Sequence, residues 1–115
     1  MNQDLVESVK KIAKKIEEFG GNRTMVLDVS KKNKEINYMV ITNAFNQQMA
    51  KFMAGEVQGY AKELGFEPVN IDGIIKGEWI VIDYDKFLVH IFVDATRSKY
   101  NIEKLWEDSK NKISY

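Results

Sequence analysis

Leu5, Val9, Ile12, Ile16 and Phe19 recur every three or four residues, while Lys10, Lys11, Lys14, Lys15, Glu17 and Glu18 fall mostly on other faces. That period predicts an amphipathic helix, and Gly20-Gly21 supplies its stop. Met25 to Val29 and Ile36 to Thr42 are rich in β-formers and flank the polar run Ser30-Lys31-Lys32-Asn33-Lys34-Glu35, so they read as two strands joined by a solvated loop. From Asn46 the period returns to helical: Met49, Met53, Val57, Tyr60 and Leu64 form one stripe, with Ala50, Ala54 and Ala61 beside it, ending at Gly65. Glu67 to Ile71 suits a short strand bounded by Pro68. Trp79 to Tyr84 and Phe87 to Val93 are the strongest strand segments, joined at Asp85-Lys86 by a tight hairpin, and a last helical piece runs from Ile102 past Trp106. With no internal repeat or linker, the chain is expected to be one α/β (α+β) domain, residues 1–115, its helices flanking a mixed sheet.

Length and charge narrow the partner classes. A chain of 115 residues that is 44% hydrophobic is long enough for one core. Seventeen basic residues balance seventeen acidic ones, so no global field draws the protein to DNA or to an anionic membrane, and a partner must be recognised locally. The absence of cysteine removes disulfides, thiolate metal sites and a cysteine nucleophile. Apolar runs such as Phe87 to Phe92 are far shorter than the roughly 20 residues of a membrane helix. An early acid, Asp4, and no apolar segment at the start argue against a secretion signal, so a cytoplasmic location is expected.

Candidate chemistry is sparse. His90, the lone histidine, shares a strand face with Leu88 and Phe92 and is expected to be buried or half-buried and held by a hydrogen bond. A zinc site would need about four ligands and finds too few here. Asp83 and Asp85 could share a face and hold magnesium, but Asp85 falls in the hairpin, where aspartate serves the turn. No phosphate-cradling glycine motif follows a strand; Gly55 and Gly59 lie within the second helix, where close packing is the expected reason for them. Met49 and Met53 are expected in the core, and Lys10, Lys11, Lys14 and Lys15 on a solvated face diluted by Glu7, Glu17 and Glu18. No convincing catalytic set emerges, and no cofactor is expected.

Composition alone stops at an α/β domain, but one series of residues carries further. Asp72-Gly73, Gly77-Glu78-Trp79-Ile80-Val81-Ile82-Asp83-Tyr84, Val89-His90-Ile91-Phe92, Arg97, Tyr100 and Glu103-Lys104-Leu105-Trp106 together resemble the ribosomal silencing factor (RsfS, iojap-like) family. Val26-Leu27-Asp28-Val29, Tyr38-Met39-Val40-Ile41-Thr42 and the helix through Gln48, Lys51 and Glu56-Val57 extend the likeness from Arg23 to Asp108. Two positions depart from it. Asn43-Ala44-Phe45-Asn46 stands where the family usually has a glycine and serines, and Asp85 stands at the family's turn glycine.

The resemblance implies a nucleotidyltransferase-like fold with about five strands, without nucleotidyltransferase activity. It implies a translational repressor that binds the large ribosomal subunit through ribosomal protein number fourteen and obstructs subunit joining. A homodimer is also implied as possible. Carried over as partner contacts are Trp79, Ile80, Asp83 and Tyr84. Two other readings stay open: a magnesium-dependent transferase using Asp28, Asp83 and Asp85, weakened by the missing glycine-serine loop, and a homodimeric module unconnected with the ribosome.

Overall fold

The helical and strand periods fold, in the computed structural model, into α1 (Asn2–Glu18), β1 (Asn22–Asp28), β2 (Tyr38–Ala44), α2 (Gln47–Glu63), β3 (Asn70–Asp72), β4 (Trp79–Asp83), β5 (Phe87–Val93), α3 (Asp94–Tyr100), α4 (Glu103–Trp106) and β6 (Lys112–Ile113). The structure describes residues 2–108 and 110–115. The strands form one mixed sheet in the order β3-β4-β5-β2-β1-β6. Only β2 and β5 run parallel, from Tyr38 opposite Phe87 to Ala44 opposite Val93, and this pair forms the centre. A parallel pair needs a crossover, here made by α2, β3 and β4.

The sheet has two unequal faces. On the first, Val26, Val40, Ile80, Ile82, Phe87, Val89 and Ile91 meet Val9, Ile12, Ala13 and Ile16 of α1 and Ala50, Met53, Ala54, Val57 and Ala61 of α2 in one closed core. On the second, Leu27, Val29, Met39, Ile41 and Phe92 are roofed only by the α3–α4 segment, through Ile102 and the half-buried Trp106. The helical stripes thus bury the face they were expected to bury, Met53 included; Met49 is half-buried against the same core.

Four expectations need correction. The sheet has six strands, not about five: β6 is two residues long, and it pairs Ile113 with Val26 and Lys112 with Leu27. Nothing periodic can be seen in a strand that short. α3 was also missed; it follows β5 with no intervening turn signal. Asn43 and Ala44 do not lie in a loop but close β2, both buried. Gly55 and Gly59 do not serve packing: they are exposed, and a side chain at either would meet open space.

The residue that does begin α2 is Asn46, whose side chain accepts the Met49 amide at 2.8 Å from an extended backbone (φ −152°). It satisfies one of the helix's unpaired amides. Asn46→Ala is expected to cost about 1 kcal/mol, read as a lower denaturant midpoint at unchanged slope.

Candidate functional site

Side chains on a strand alternate, and in β4 the alternation is sharp: Ile80 and Ile82 are buried in the closed core, while Trp79, Val81 and Asp83 stand half-buried on the second face. Pairing with β5 sets Trp79 opposite Phe92, Val81 opposite His90 and Asp83 opposite Leu88 on that face. The α3–α4 roof reaches Trp79 through Tyr100 but leaves Trp79, Val81, Asp83 and Leu88 partly open to solvent.

Trp79 is built into its place. Its ring stacks on Phe92 with centroids 4.9 Å apart, lies 4.8 Å from the ring of Tyr100, and its Nε1–H donates to His90 Nδ1 at 3.0 Å. Gly73 brings the preceding loop against its backbone: at φ +82° it approaches the Trp79 carbonyl too closely for any Cβ. Such a tryptophan is rigid, with one part packed and one part exposed, a form suited to recognition.

His90 is 6% exposed. Its Nδ1 accepts from Trp79, so the ring proton sits on Nε2, which meets no hydrogen-bond partner. The expected hydrogen bond is therefore present on one nitrogen only. Burial pushes its pKa down from 6.5 to about 4, which keeps the ring neutral and able to accept the indole proton.

The four carried-over contact residues separate. Trp79 and Asp83 share the half-open face, about 13 Å apart along the strand. Ile80 is fully buried under the helices, and Tyr84 is 5% exposed on the same core, stacked on Phe87 at 4.9 Å. Burial and then the Glu67 charge push the Tyr84 phenol up to about 12. Neither side chain can touch a partner on the Trp79 face; each supports the strand from below. Val81 and Leu88 share the half-open face with Trp79 and Asp83, as the period of two along β4 and its pairing with β5 require.

The carboxylates expected of a transferase do not converge. Asp83 accepts the Asp85 amide at 2.8 Å, and Asp85 has φ +73°, so both serve the hairpin. Asp28 lies on β1, three strands from β4 and therefore about 14 Å away, and its carboxylate accepts the Ser30 amide and hydroxyl. Among the described residues no three His, Cys, Asp or Glu side chains gather where a metal could sit.

The roof is fastened by Arg97, only 1% exposed. Its Nε donates to Glu103 Oε2 at 3.1 Å, and its Nη1 donates to the Arg23 carbonyl at 2.6 Å and to Asn43 Oδ1 at 2.8 Å. Asn43 in turn donates to Asp94 at 2.7 Å. One guanidinium thereby joins α3, α4, β1 and β2. Desolvation lowers the Arg97 pKa, opposed chiefly by Glu103.

This arrangement defines a mixed-sheet α+β domain that presents a rigid aromatic and apolar strip on a partly roofed sheet. The chain belongs to the ribosomal silencing factor family: the family model described as "Ribosomal silencing factor during starvation" matches residues 2–114. It is 30% identical over 106 residues to the ribosomal silencing factor RsfS of Chromobacterium violaceum, covering 91% of this chain and 87% of that one. It is 28% identical over 85 residues to RsfS of Bacillus subtilis, covering 74% and 72%. A crystal structure of a Chromobacterium violaceum protein superposes with TM-score 0.83 at 28% identity, covering 94% of this chain and 92% of that one. A Bacillus halodurans structure, 21% identical, shares the fold with TM-score 0.79 over 98% and 99% of the two chains.

Two tests follow from the buried groups. The folded His90 takes up no proton until about pH 4, whereas the unfolded one does so below 6.5. The contribution of His90 to stability is therefore complete above pH 6.5 and lost as pH falls toward 4, by about 3 kcal/mol. Chemical denaturation of wild type and His90→Gln from pH 7 to 4 should show the variant less sensitive to acid in that window. Arg97→Met takes from the buried Glu103 its nearer cation, leaving the more exposed Arg23 at 3.9 Å, and is expected to cost about 3 kcal/mol in the same assay. Glu103→Gln, which keeps an acceptor, should cost less.

Proposed function

We propose that this protein is a translational repressor that acts by binding, without catalysis, from the cytoplasm. It docks on the large ribosomal subunit through a ribosomal protein, number fourteen of that subunit, and holds the small subunit off. The observation that carries this reading is the Trp79–Val81–Leu88 strip with Asp83 at its rim. It is apolar, rigid and incompletely roofed, in a chain of the silencing-factor family. An apolar centre with a carboxylate rim suits a partner surface that offers apolar groups ringed by basic ones.

Obstruction needs only bulk. The molecule measures 35 × 31 × 23 Å, so even its shortest dimension is several times the few ångströms across which two rigid surfaces make contact. A copy seated where the subunits meet prevents joining without an active site.

Trp79 is a poor residue for testing this, because its stacking and its hydrogen bond tie it to the fold. Val81 and Asp83 are better, being half-exposed on the same face. Val81→Glu should keep a native circular dichroism spectrum and reduce co-sedimentation with purified large subunits by about tenfold or more, the loss typical of a central interface residue, while Asp83→Asn, which keeps an acceptor for the Asp85 amide, should reduce it by less. Folded variants that bind as well as wild type would sink the assignment of this face.

A further inference from the structure

A net charge of zero conceals a separation of charge across the sheet. At the β3–β4 edge stand Glu67, Asp72, Glu78, Asp83 and Asp85, against Lys76, paired to Glu78 at 3.4 Å, and Lys86, which lines one pocket with Asp83 and Asp85. At the opposite edge, β6 carries Lys112, preceded by Lys110, and lies beside the β1–β2 loop with Lys31 and Lys32. A cleft of about 180 Å³ there is lined by Lys31, Lys32, Lys110, Asp28, Asp108 and Asn111. Ile113 also lines it, and the next two residues, Ser114 and Tyr115, line a second cleft with Lys11, Lys14 and the Lys10–Glu7 pair of α1. The two clefts thus follow one another along the outer side of β6.

Of the two acids in the first cleft, Asp28 is turned to its own loop, and Asp108 lies 4.0 Å from Lys32 and partly offsets that lysine. Asp28 accepts from Ser30, and Asp108 accepts the Lys110 amide at 2.8 Å. The Lys110 amide and the ammonium groups of Lys32 and Lys31 hold the Asp108 carboxyl below its usual range. Lys32 is partly committed, donating to the Trp106 carbonyl at 3.0 Å. Lys31, Lys110 and Lys112 are exposed and, among the described residues, form no ion pair. Protection of an open strand edge would account for Lys112 alone. It does not account for Lys31 and Lys110, which arrive from two separate loops at one cleft.

We propose that this edge is a second contact surface, for the phosphate backbone of RNA, with Lys31, Lys110 and Lys112 as its cations. It extends the docking reading above: a domain with carboxylates at one sheet edge and lysines at the other fits a surface made of both basic protein and RNA. Lysines act here as mobile point charges on phosphates, without reading sequence.

The test uses the full chain and a single-stranded RNA oligonucleotide of mixed sequence, titrated from about 50 to about 200 mM salt, with purified large subunits in a parallel series. Replacing three lysines by glutamine (Lys31→Gln, Lys110→Gln, Lys112→Gln) should weaken RNA binding and make its logarithmic salt slope shallower by about 2. Wild type should then lose roughly tenfold to twentyfold more affinity than the variant over that range. The Val81→Glu variant should bind the oligonucleotide like wild type, so loss of the apolar face and loss of the lysine edge are told apart. Wild type that does not bind the RNA, or a triple variant with unchanged affinity and slope, overturns the proposal. Equal binding to polyglutamate of matched charge would make the edge a surface for acidic protein and overturn the RNA assignment. Circular dichroism confirms that the three exposed substitutions leave the fold intact.

Discussion

Successive side chains on a strand cannot face the same way, and in β4 this rule divides five residues between two environments. Ile80 and Ile82 close the core under α1 and α2; Trp79, Val81 and Asp83 are turned to a face that the chain covers only in part. A one-residue slip against β5 would bury Asp83 and expose the isoleucines. The register is held from both sides: by the closed core on one, and on the other by Trp79, which spans to His90 and Phe92 of β5. The proposed docking strip is thus a by-product of the same packing that stabilises the sheet.

The second face owes its shape to a polar network. Short helices such as α3 and α4 have little cohesion of their own, and the apolar contact beneath them is limited chiefly to Ile102 and Trp106. The Arg97 guanidinium supplies what the apolar contact lacks, joining both helices to the ends of β1 and β2 through directed hydrogen bonds. Directed bonds also fix where the roof stops, and so how much of β4 and β5 remains uncovered. Asn43 belongs to this network, so the Asn43–Asn46 stretch that departs from the family pattern is structural here: Asn43 braces Arg97 and Asn46 caps α2.

Long periodic segments were readable from residues alone. The stripe from Leu5 to Phe19, the stripe from Met49 to Leu64, and the strands Trp79 to Tyr84 and Phe87 to Val93 lie where their periods placed them, within a residue or two. What was not readable depends on distant partners. β6 exists because β1 offers it an edge, and α3 because Arg97 finds acceptors far along the chain. The candidate face was legible only as a segment, for a related reason. Family likeness pointed to the segment Trp79 to Tyr84, but a run of matching residues does not say which way each one faces. Alternation does, and it removes Ile80 and Tyr84 from the surface and brings in Val81 and Leu88. His90 was expected to be buried, but its partner could be identified only once β4 and β5 were aligned.

β6 pairs with β1 at just two residues, and together with Asn111, whose carbonyl accepts the Asp28 amide at 2.8 Å, it covers the outer hydrogen-bonding groups of that strand. Tyr115 secures it from beyond, its hydroxyl donating to Glu17 at 2.9 Å or to the Thr24 carbonyl at 3.0 Å. Cleavage before β6 would take Ile113 and Tyr115 off the rim of the core and uncover a β-rich margin, Met25-Val26-Leu27, ready to recruit another strand. For a small protein the result of such a nick would be clumping before unfolding, so solubility, more than activity, depends on the fastening of this tail.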